Sequence, residues 1–314
     1  MTDPARPDPA AEPPGFVVVV APGDRIHFLD WGGSGEPGVI LVHGLAGSAW
    51  IWAPVARRLI GARRTIAMDL RGHGLSDAPT DDGAYDLTVL AADVVAVAEG
   101  SGLLNQDRAA GGPGVVLAGH GFGAIVAATA ADQLAERCAG LVLVDGGWEA
   151  LEASTGVDAD EFLRGLDEPP EVMRSMSAYL ADRAGFDPAT WDGDQERAAR
   201  ATVVETHAGR VVPATRPHAL EACVRAMFTY DPMAALTAFA GPVTALSAAD
   251  DETGSRAKAL AAVSKARVAA GQEAIVQLPF RHDGHNLMRY RPREVAAAIA
   301  AIGAGAVTDP RAHR

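Results

Sequence analysis

The sequence predicts an α/β fold, with a mostly parallel eight-stranded sheet, helices on both faces and an inserted helical cap. Three observations predict it. Short apolar segments alternate with helical patterns, as they do when helices cover both faces of a parallel sheet. The apolar segment at residues 115–118 runs into a helical pattern through the turn Gly-His-Gly-Phe-Gly at residues 119–123. Residues 147–240 are helical, polar and interrupted by prolines, which is far too long for an ordinary connection.

Eight segments are predicted as strands because they are short, apolar and separated by helical or turn patterns. The first two flank the turn cluster Pro22-Gly23-Asp24, which predicts an initial hairpin. The predicted strands are residues 16–21, 26–31, 39–42, 65–68, 115–118, 141–144, 243–246 and 274–278.

The helices between these strands are predicted from apolar side chains that recur at helical spacing. Asp86 stands where it can cap a helix that closes near Gly100, and Pro292 suits the first turn of the last helix. Residues 50–60 and 122–137 are the other predicted helices of the core, and the second of these is rich in alanine, which allows close packing on the sheet.

The long helical segment divides the chain into a core and an insertion. The core is predicted over residues 16–147 and 241–303, and the cap over residues 148–240. Residues 1–15 are rich in Pro, Asp and Ala and are predicted to be disordered, and residues 304–314 are predicted to be a mobile tail.

The charge of the chain limits the class of partner. The 314 residues include 27 basic and 40 acidic side chains, and the net charge is -13. Nucleic acids and anionic membranes attract basic surfaces, so this balance argues against both. No apolar run is long enough to span a bilayer. We therefore expect a small-molecule partner, whereas the oligomeric state cannot be read from the sequence.

The sequence carries no motif for a cofactor or for secretion. Cys138 and Cys223 form no disulfide framework or zinc motif, and no nucleotide or flavin motif occurs, so neither a metal nor another cofactor is predicted. The first residues have no basic region followed by an apolar run, so they do not resemble a secretion signal. We expect a cytoplasmic protein, and the scarcity of lysine beside abundant Ala, Arg and Gly suggests a bacterial source.

Six motifs follow one another in an order that resembles the α/β-hydrolase superfamily, in the branch with a helical cap after the sixth strand. The resemblance covers about residues 39–302 and implies the fold predicted above. The motifs are Leu-Val-His-Gly-Leu-Ala-Gly-Ser at residues 41–48, Asp-Leu-Arg-Gly-His-Gly-Leu-Ser-Asp at 69–77, Gly-His-Gly-Phe-Gly at 119–123, Leu-Val-Asp-Gly-Gly at 143–147, Ala-Ala-Asp-Asp at 248–251 and Gly-His-Asn at 284–286.

The nucleophile position of this resemblance holds a glycine. In the family, the third residue of the turn at residues 119–123 is a serine held on a tight bend between strand and helix. Here that residue is Gly121, which has no side chain and cannot become an acylated nucleophile. The resemblance therefore implies the elbow without its usual chemistry, and the nucleophile position is vacant.

His285 and Asp251 are the predicted catalytic base and acid. His285 follows the last predicted strand, where the family keeps its base, and a carboxylate is needed to orient the imidazole and stabilise its protonated form. Matching the preceding strand end to family members places that carboxylate at Asp251. His282 remains open as an alternative base, and Asp250 and Asp145 as alternative acids, the last at a position that some members use.

The resemblance also implies a backbone oxyanion hole and a pocket around it. The hole is assigned to the N–H groups of Leu45 and Phe122, which do not depend on side-chain identity and so survive the loss of the serine. The predicted substrate pocket is lined by His43, Gly44, His120 and Trp148. The loop at residues 69–77 is expected mainly to support the site.

Two classes of function fit these residues. In a repurposed enzyme, His285 and its acid act as a general base on water or on the substrate, and the backbone donors hold the developing oxyanion. In the alternative, the chain is an inactive ligand-binding or regulatory protein of the same fold, or a serine esterase-type hydrolase inactivated at Gly121. The retained histidine and acid favour the enzyme, acting on a small organic molecule between cap and sheet.

Overall fold

The fold is built on one large sheet, seen in a computed structural model that describes residues 12–104, 112–166, 173–249 and 254–303. Within these residues the strands are Gly15–Ala21 (β1), Asp24–Gly32 (β2), Gly38–Val42 (β3), Thr65–Met68 (β4), Val115–His120 (β5), Cys138–Val144 (β6), Val203–Glu205 (β7), Val211–Pro213 (β8), Val243–Ser247 (β9) and Val276–Pro279 (β10). Eight of them form a sheet of order β1-β2-β4-β3-β5-β6-β9-β10. Only the β1–β2 and β2–β4 pairs of this sheet are antiparallel, which confirms the predicted fold class.

Helices cover both faces of this sheet. The α-helices in the described residues are Ala53–Leu59 (α1), Leu87–Gly100 (α2), Phe122–Leu134 (α3), Leu151–Thr155 (α4), Ala159–Leu166 (α5), Met176–Phe186 (α6), Gly193–Ala201 (α7), Pro217–Phe228 (α8), Pro232–Ala238 (α9), Ser255–Ala269 (α10), Leu287–Tyr290 (α11) and Pro292–Ala301 (α12). Side chains of α1, α11 and α12 build the core on one face, and those of α2, α3, α9 and α10 build the core on the other.

The middle of the sheet is wholly buried. Every residue of β3, β4 and β5 is buried, which explains why these strands are continuous apolar runs with no polar alternation. Each large aliphatic side chain buried there contributes about 1.5–3 kcal/mol to stability. The carboxyl ends of the parallel strands therefore form a rigid edge for the loops that follow them.

The insertion between β6 and β9, where a helical cap is predicted, holds strands as well as helices. It contains the antiparallel pair β7 and β8 as well as helices α4 to α8. Valines on the two strands suit a pleated pair, and the Thr206 N–H donates to the Arg210 carbonyl at 2.7 Å to close the turn. Helix α9, which the prediction placed in the cap, packs against α3 and α10 of the core.

The predicted ends of the chain lie largely outside the described residues, which begin at residue 12 and end at residue 303. Gly15, assigned to the disordered segment by the sequence prediction, instead begins β1. In the same described ranges, none of the helices has the length and apolar character that a membrane span requires.

The loop after β4 braces the loop after β3. Asp69 is buried, and its carboxylate accepts hydrogen bonds from the N–H groups of Ala49 at 2.7 Å and Leu75 at 3.0 Å. Arg71 pairs with the buried Asp93 at 2.8 Å. These contacts hold the backbone beside the end of β3, where the site begins.

Candidate active site

Gly121 forms a tight bend between β5 and α3. Its φ of 52° and ψ of -117° lie in a region that L side chains rarely adopt. The bend also needs glycine at its two ends: a Cβ on Gly119 would lie 2.1 Å from the Gly123 carbonyl oxygen, and a Cβ on Gly123 would lie 2.3 Å from the His43 carbonyl oxygen. The glycine spacing of residues 119–123 is therefore a packing requirement.

The imidazole of His285 is directed at Gly121. An ideal Cβ on Gly121 would lie 3.2 Å from His285 Nε2 and 3.4 Å from Cε1. The other ring nitrogen, Nδ1, lies 2.6 Å from Asp145 Oδ2. The side chain of His285 is 57% exposed, so Nε2 can be reached from the cavity above the bend.

Asp145 is the buried carboxylate that orients this imidazole. Its side chain is 2% exposed, and its Oδ1 accepts hydrogen bonds from the Ala248 N–H at 2.9 Å and from Arg256 Nη1 at 3.0 Å. Burial by itself raises the pKa of Asp145, but the hydrogen bond from His285, the charge of Arg256 and the Ala248 amide together hold that pKa below its usual range. An ionised Asp145 accepts a hydrogen bond from Nδ1–H of His285, which leaves Nε2 as the unprotonated nitrogen facing Gly121.

The carboxylate bonded to His285 in the structure is that of Asp145, one of the alternatives to the expected Asp251. Asp250 and Asp251 lie outside the described residues, and the carboxylate bonded to His285 belongs to the end of β6. Strands β6 and β9 are parallel neighbours, so their carboxyl ends reach the same edge of the sheet. The alternative base His282 is exposed, and the histidine that contacts the buried Asp145 is His285.

A charged pair, Arg256 and Glu149, extends the His285–Asp145 pair, which we call the dyad. No pattern in the sequence indicates this pair. Arg256 Nε lies 3.0 Å from both carboxylate oxygens of Glu149, while its Nη1 bonds Asp145. Glu149 and Arg256 come from elements on opposite sides of the insertion, more than 100 residues apart along the chain. The guanidinium thus links Asp145 to the carboxylate of Glu149, which borders the cavity beside Gly121.

The two predicted oxyanion donors lie beside the bend. Leu45 and Phe122 line the same cavity as Gly121 and His285. Phe122 is the first residue of α3, so its N–H precedes the first i→i−4 hydrogen bond of that helix. Ala46 has a φ of 55°, which turns the chain sharply just after Leu45. The assignment of an oxyanion hole to these two amides stays a prediction.

Two of the four predicted pocket residues line this space and two do not. Gly44 and His120 border the cavities at the bend. His43 is fully buried beneath the loop, where its Nε2 accepts from the Leu70 N–H at 2.9 Å and its Nδ1 donates to the Gly44 carbonyl at 2.7 Å. Trp148 is 1% exposed and borders a separate cavity with Leu260.

These two corrections have a common reason. Both His43 and Trp148 follow strands whose ends point at the site, but their own side chains pack into the core layer. Position in a motif predicted the neighbourhood of each residue and not the direction of its side chain.

Two cavities share wall residues beside the His285–Asp145 pair. The first, which we call the elbow cavity, has a volume of about 310 Å³ and is bordered by Leu45, Gly121, Phe122, Asp145, Glu149 and His285. The second, which we call the cap cavity, has a volume of about 340 Å³ and is bordered by Ser48, Tyr179, Arg183, Trp191, Gln195 and Arg289. Gly44, Leu45, His120 and Asn286 border both. Their sizes fall within the range of small-molecule sites.

His120 is a buried neutral histidine between the two cavities. Its Nε2 lies 3.1 Å from the His285 carbonyl oxygen, and the two rings are 4.3 Å apart at their centroids. Burial, with a smaller contribution from His285, lowers the pKa of His120 to about 3. Its ring therefore stays uncharged while it supports the loop that carries the base.

We expect His120 to make the protein less stable in acid. The unfolded chain protonates this histidine below about pH 6.5. The folded chain does so only near its pKa of about 3. The unfolded state binds more protons in between, so His120 lowers the free energy of unfolding by about 1.4 kcal/mol per pH unit as the pH falls through that window.

Urea unfolding from neutral to mildly acidic pH measures this slope. His120→Asn should show a smaller slope than the wild type, while the matched change at the exposed His207 should leave the slope unaltered. Equal slopes for His120→Asn and the wild type would contradict the expectation.

The sheet order, the glycine bend after β5 and the histidine–aspartate pair at the sheet edge are features of the alpha/beta hydrolase class. The profile of that family matches residues 39–298. The chain belongs to the alpha/beta hydrolase family.

Characterised relatives resemble parts of the chain. N-formylmaleamate deformylase of Pseudomonas putida is 39% identical over 127 residues, which are 40% of this chain and 43% of that protein. 2-(Acetamidomethylene)succinate hydrolase of Mesorhizobium japonicum is 30% identical over 164 residues, 50% of this chain and 52% of that protein. Epoxide hydrolase 4 of Mus musculus is 31% identical over 120 residues, 38% of this chain and 31% of that protein. The chain thus matches about half or less of each of these relatives.

A solved structure matches nearly the whole chain. The crystal structure of E-2-(acetamidomethylene)succinate hydrolase superposes with a TM-score of 0.72 and 23% sequence identity, covering 92% of this chain and 98% of that one. At this identity the likeness establishes the shared fold.

Proposed function

We propose that this protein is an enzyme of the hydrolase type that uses the His285–Asp145 dyad as a general base, without a nucleophilic side chain at residue 121. One observation carries the proposal. The basic nitrogen of His285 faces the point 3.2 Å away where a side chain on Gly121 would begin, and Asp145 holds the opposite nitrogen at 2.6 Å. The base is thus aimed at a space that a water molecule or a substrate C–H group can enter.

In the hydrolytic form of this proposal, a water molecule above Gly121 gives a proton to His285 Nε2 as its oxygen attacks a substrate carbonyl. The N–H groups of Leu45 and Phe122 stabilise the oxyanion, and the protonated imidazole, held by Asp145, then returns the proton to the leaving group. General base catalysis contributes about 10²–10⁴-fold, and an oxyanion hole with binding about 10³-fold. A C–H group of the substrate in place of water would make the reaction a proton abstraction.

The proposed substrate is a small carbonyl compound held between cap and core. Two relatives carry small organic acids in their names, N-formylmaleamate and 2-(acetamidomethylene)succinate. The cavities at the dyad are of matching scale, at about 310 and 340 Å³. We propose that the protein works in the cytoplasm without a cofactor, and that nucleic acids and membranes are not its partners.

The test is turnover without a covalent intermediate. Wild-type protein is incubated with a panel of small amides, esters and thioesters, and the reaction is quenched rapidly in acid for intact-mass measurement. We expect product to form with no acyl adduct on the protein.

A second candidate is a ligand-binding protein, which the missing side chain at Gly121 favours. Ligands that raise the melting temperature, with no turnover across the panel, would support that function and refute the proposed one. An acyl adduct would contradict the proposal in another way, because it would reveal a nucleophile elsewhere in the site.

A further inference from the structure

We propose that the cap cavity is a carboxylate-binding subsite, in which Arg289 binds the anionic group of a substrate with a planar apolar body. The link between this subsite and catalysis rests on the proposed function, whereas the binding itself does not. The structure assigns the subsite by the charge of the cavity wall, by the geometry of Arg289 and by a buried hydroxyl beside it.

The charge of the cap cavity is opposite to that of the protein. The chain carries a net charge of -13. Among the described residues, the cavity wall includes Arg289 and also Arg183, which is paired with Asp182 at 2.8 Å, and it has neither Asp nor Glu. A positively charged wall attracts anions to the cavity, whereas the acidic outer surface of the protein repels them. The neighbouring elbow cavity differs, because Asp145 and Glu149 border it.

Arg289 is held in place by hydrogen bonds that use only some of its N–H groups. Its side chain is 11% exposed. Its Nε donates to Thr190 Oγ1, and its Nη2 donates to the Asp187 carbonyl at 2.9 Å. Over the described residues, no hydrogen bond engages its Nη1. A fixed guanidinium with an unused N–H edge is suited to a carboxylate.

The acidic side chain next to Arg289 compensates it only in part. Asp187 Oδ2 lies 3.9 Å from Arg289 Nη2, at the outer limit of an ion pair, while Asp187 Oδ2 accepts the hydroxyl of Thr190 at 2.8 Å. Arg289 therefore ties the end of α6 to α11 through polar contacts, while its side chain also borders the cap cavity. A purely structural role for Arg289 would predict that its replacement lowers stability without changing the preference for acids over amides.

The cavity wall also holds an unpaired hydroxyl and an aromatic surface. Ser48 is 1% exposed, borders the cavity, and its Oγ has no hydrogen-bond partner within the described part of the chain. Tyr179 and Trp191 supply flat apolar walls. A planar acid would fill this surface and give Ser48 a partner, since buried polar groups normally find one.

The two cavities share part of their walls, and this arrangement sets the proposed orientation of the substrate. Gly44, Leu45 and His120 border both of them. Arg289 follows the base His285 by four residues, on the short helix α11. A molecule whose carboxylate contacts Arg289 would extend its opposite end past Leu45 towards His285, where a second carbonyl could react.

Calorimetric titration with matched acids and neutral amides tests the subsite. The probes are phenylacetate with phenylacetamide, cinnamate with cinnamamide, and maleate with maleamide. We expect the wild type to bind at least one acid more tightly than its amide. In Arg289→Gln the affinity for that acid should fall about tenfold to a hundredfold, while the affinity for the amide should change little. Added salt should weaken the binding of the acid and not that of the amide.

Two further variants distinguish a loss of acid binding from a loss of folding. Asp187→Asn removes the competing carboxylate and should bind the acid as tightly as the wild type or more tightly. Arg289→Lys keeps the positive charge but loses the planar guanidinium. Its affinity for the acid should lie between those of the wild type and Arg289→Gln. Melting temperatures of all variants show whether each is folded.

The outcomes separate this subsite from the proposed function. Equal affinity for every acid and amide pair, no binding of any acid, or weaker acid binding in Asp187→Asn would overturn the subsite. Selective acid binding by a protein without turnover would uphold the subsite and refute the proposed enzyme. Turnover that depends neither on Arg289 nor on a substrate carboxylate would uphold the enzyme and overturn the link between the subsite and catalysis.

Discussion

Replacing Asp145 by asparagine is expected to lower kcat by about 10⁴-fold while leaving the protein folded. Asp145 Oδ2 accepts the Nδ1–H of His285 at 2.6 Å. An asparagine amide can instead donate to Nδ1, which places the ring proton on Nε2, the nitrogen that faces Gly121. The base would then be present in the wrong tautomer, as well as without the negative charge that stabilises its protonated form.

The control for this loss is the same substitution at Asp251, the acid that the sequence suggested. Asp251→Asn should leave kcat close to that of the wild type, while His285→Ala should reduce turnover at least as far as Asp145→Asn. Steady-state kinetics on the best substrate of the panel measures all three, with circular dichroism to check folding. Full activity in Asp145→Asn beside a large loss in Asp251→Asn would overturn the assignment of the dyad.

Introducing a serine at residue 121 is expected to create a covalent nucleophile. The Cβ of Gly121→Ser would lie 3.2 Å from His285 Nε2, so a hydroxyl one bond further can reach that nitrogen. We expect p-nitrophenyl acetate hydrolysis to rise by about 10³-fold, with an acyl adduct visible by intact mass, since loss of a serine nucleophile has a still larger effect. The strained φ of 52° should lower stability by about 1–3 kcal/mol.

Gly121→Ala is the matched control for this gain, because it adds the same Cβ and the same backbone strain without the hydroxyl. It should form no adduct, and it should reduce the native turnover of the panel by filling the space above the bend. A Gly121→Ser protein that is folded and forms no adduct would show that the base is not aimed as the structure indicates.

Local patterns in the sequence were sufficient for much of this molecule. The sheet follows from eight short apolar segments, and the bend at Gly121 follows from glycines that the backbone itself requires, since a Cβ on Gly119 or Gly123 would overlap neighbouring backbone atoms. The position of His285 after the last strand of the sheet also follows from order along the chain. Each of these features depends on residues that are close in sequence.

The partners in the site required the tertiary structure. Asp145 and Asp251 both follow parallel strands that end at one edge of the sheet, so their order along the chain could not show which carboxylate meets His285. The side chains of His43 and Trp148 turn into the core, and Arg256 joins Glu149 to Asp145 across more than 100 residues. Hydrogen bonds and ion pairs depend on differences of about 1 Å, and only the packing of distant elements sets distances on that scale.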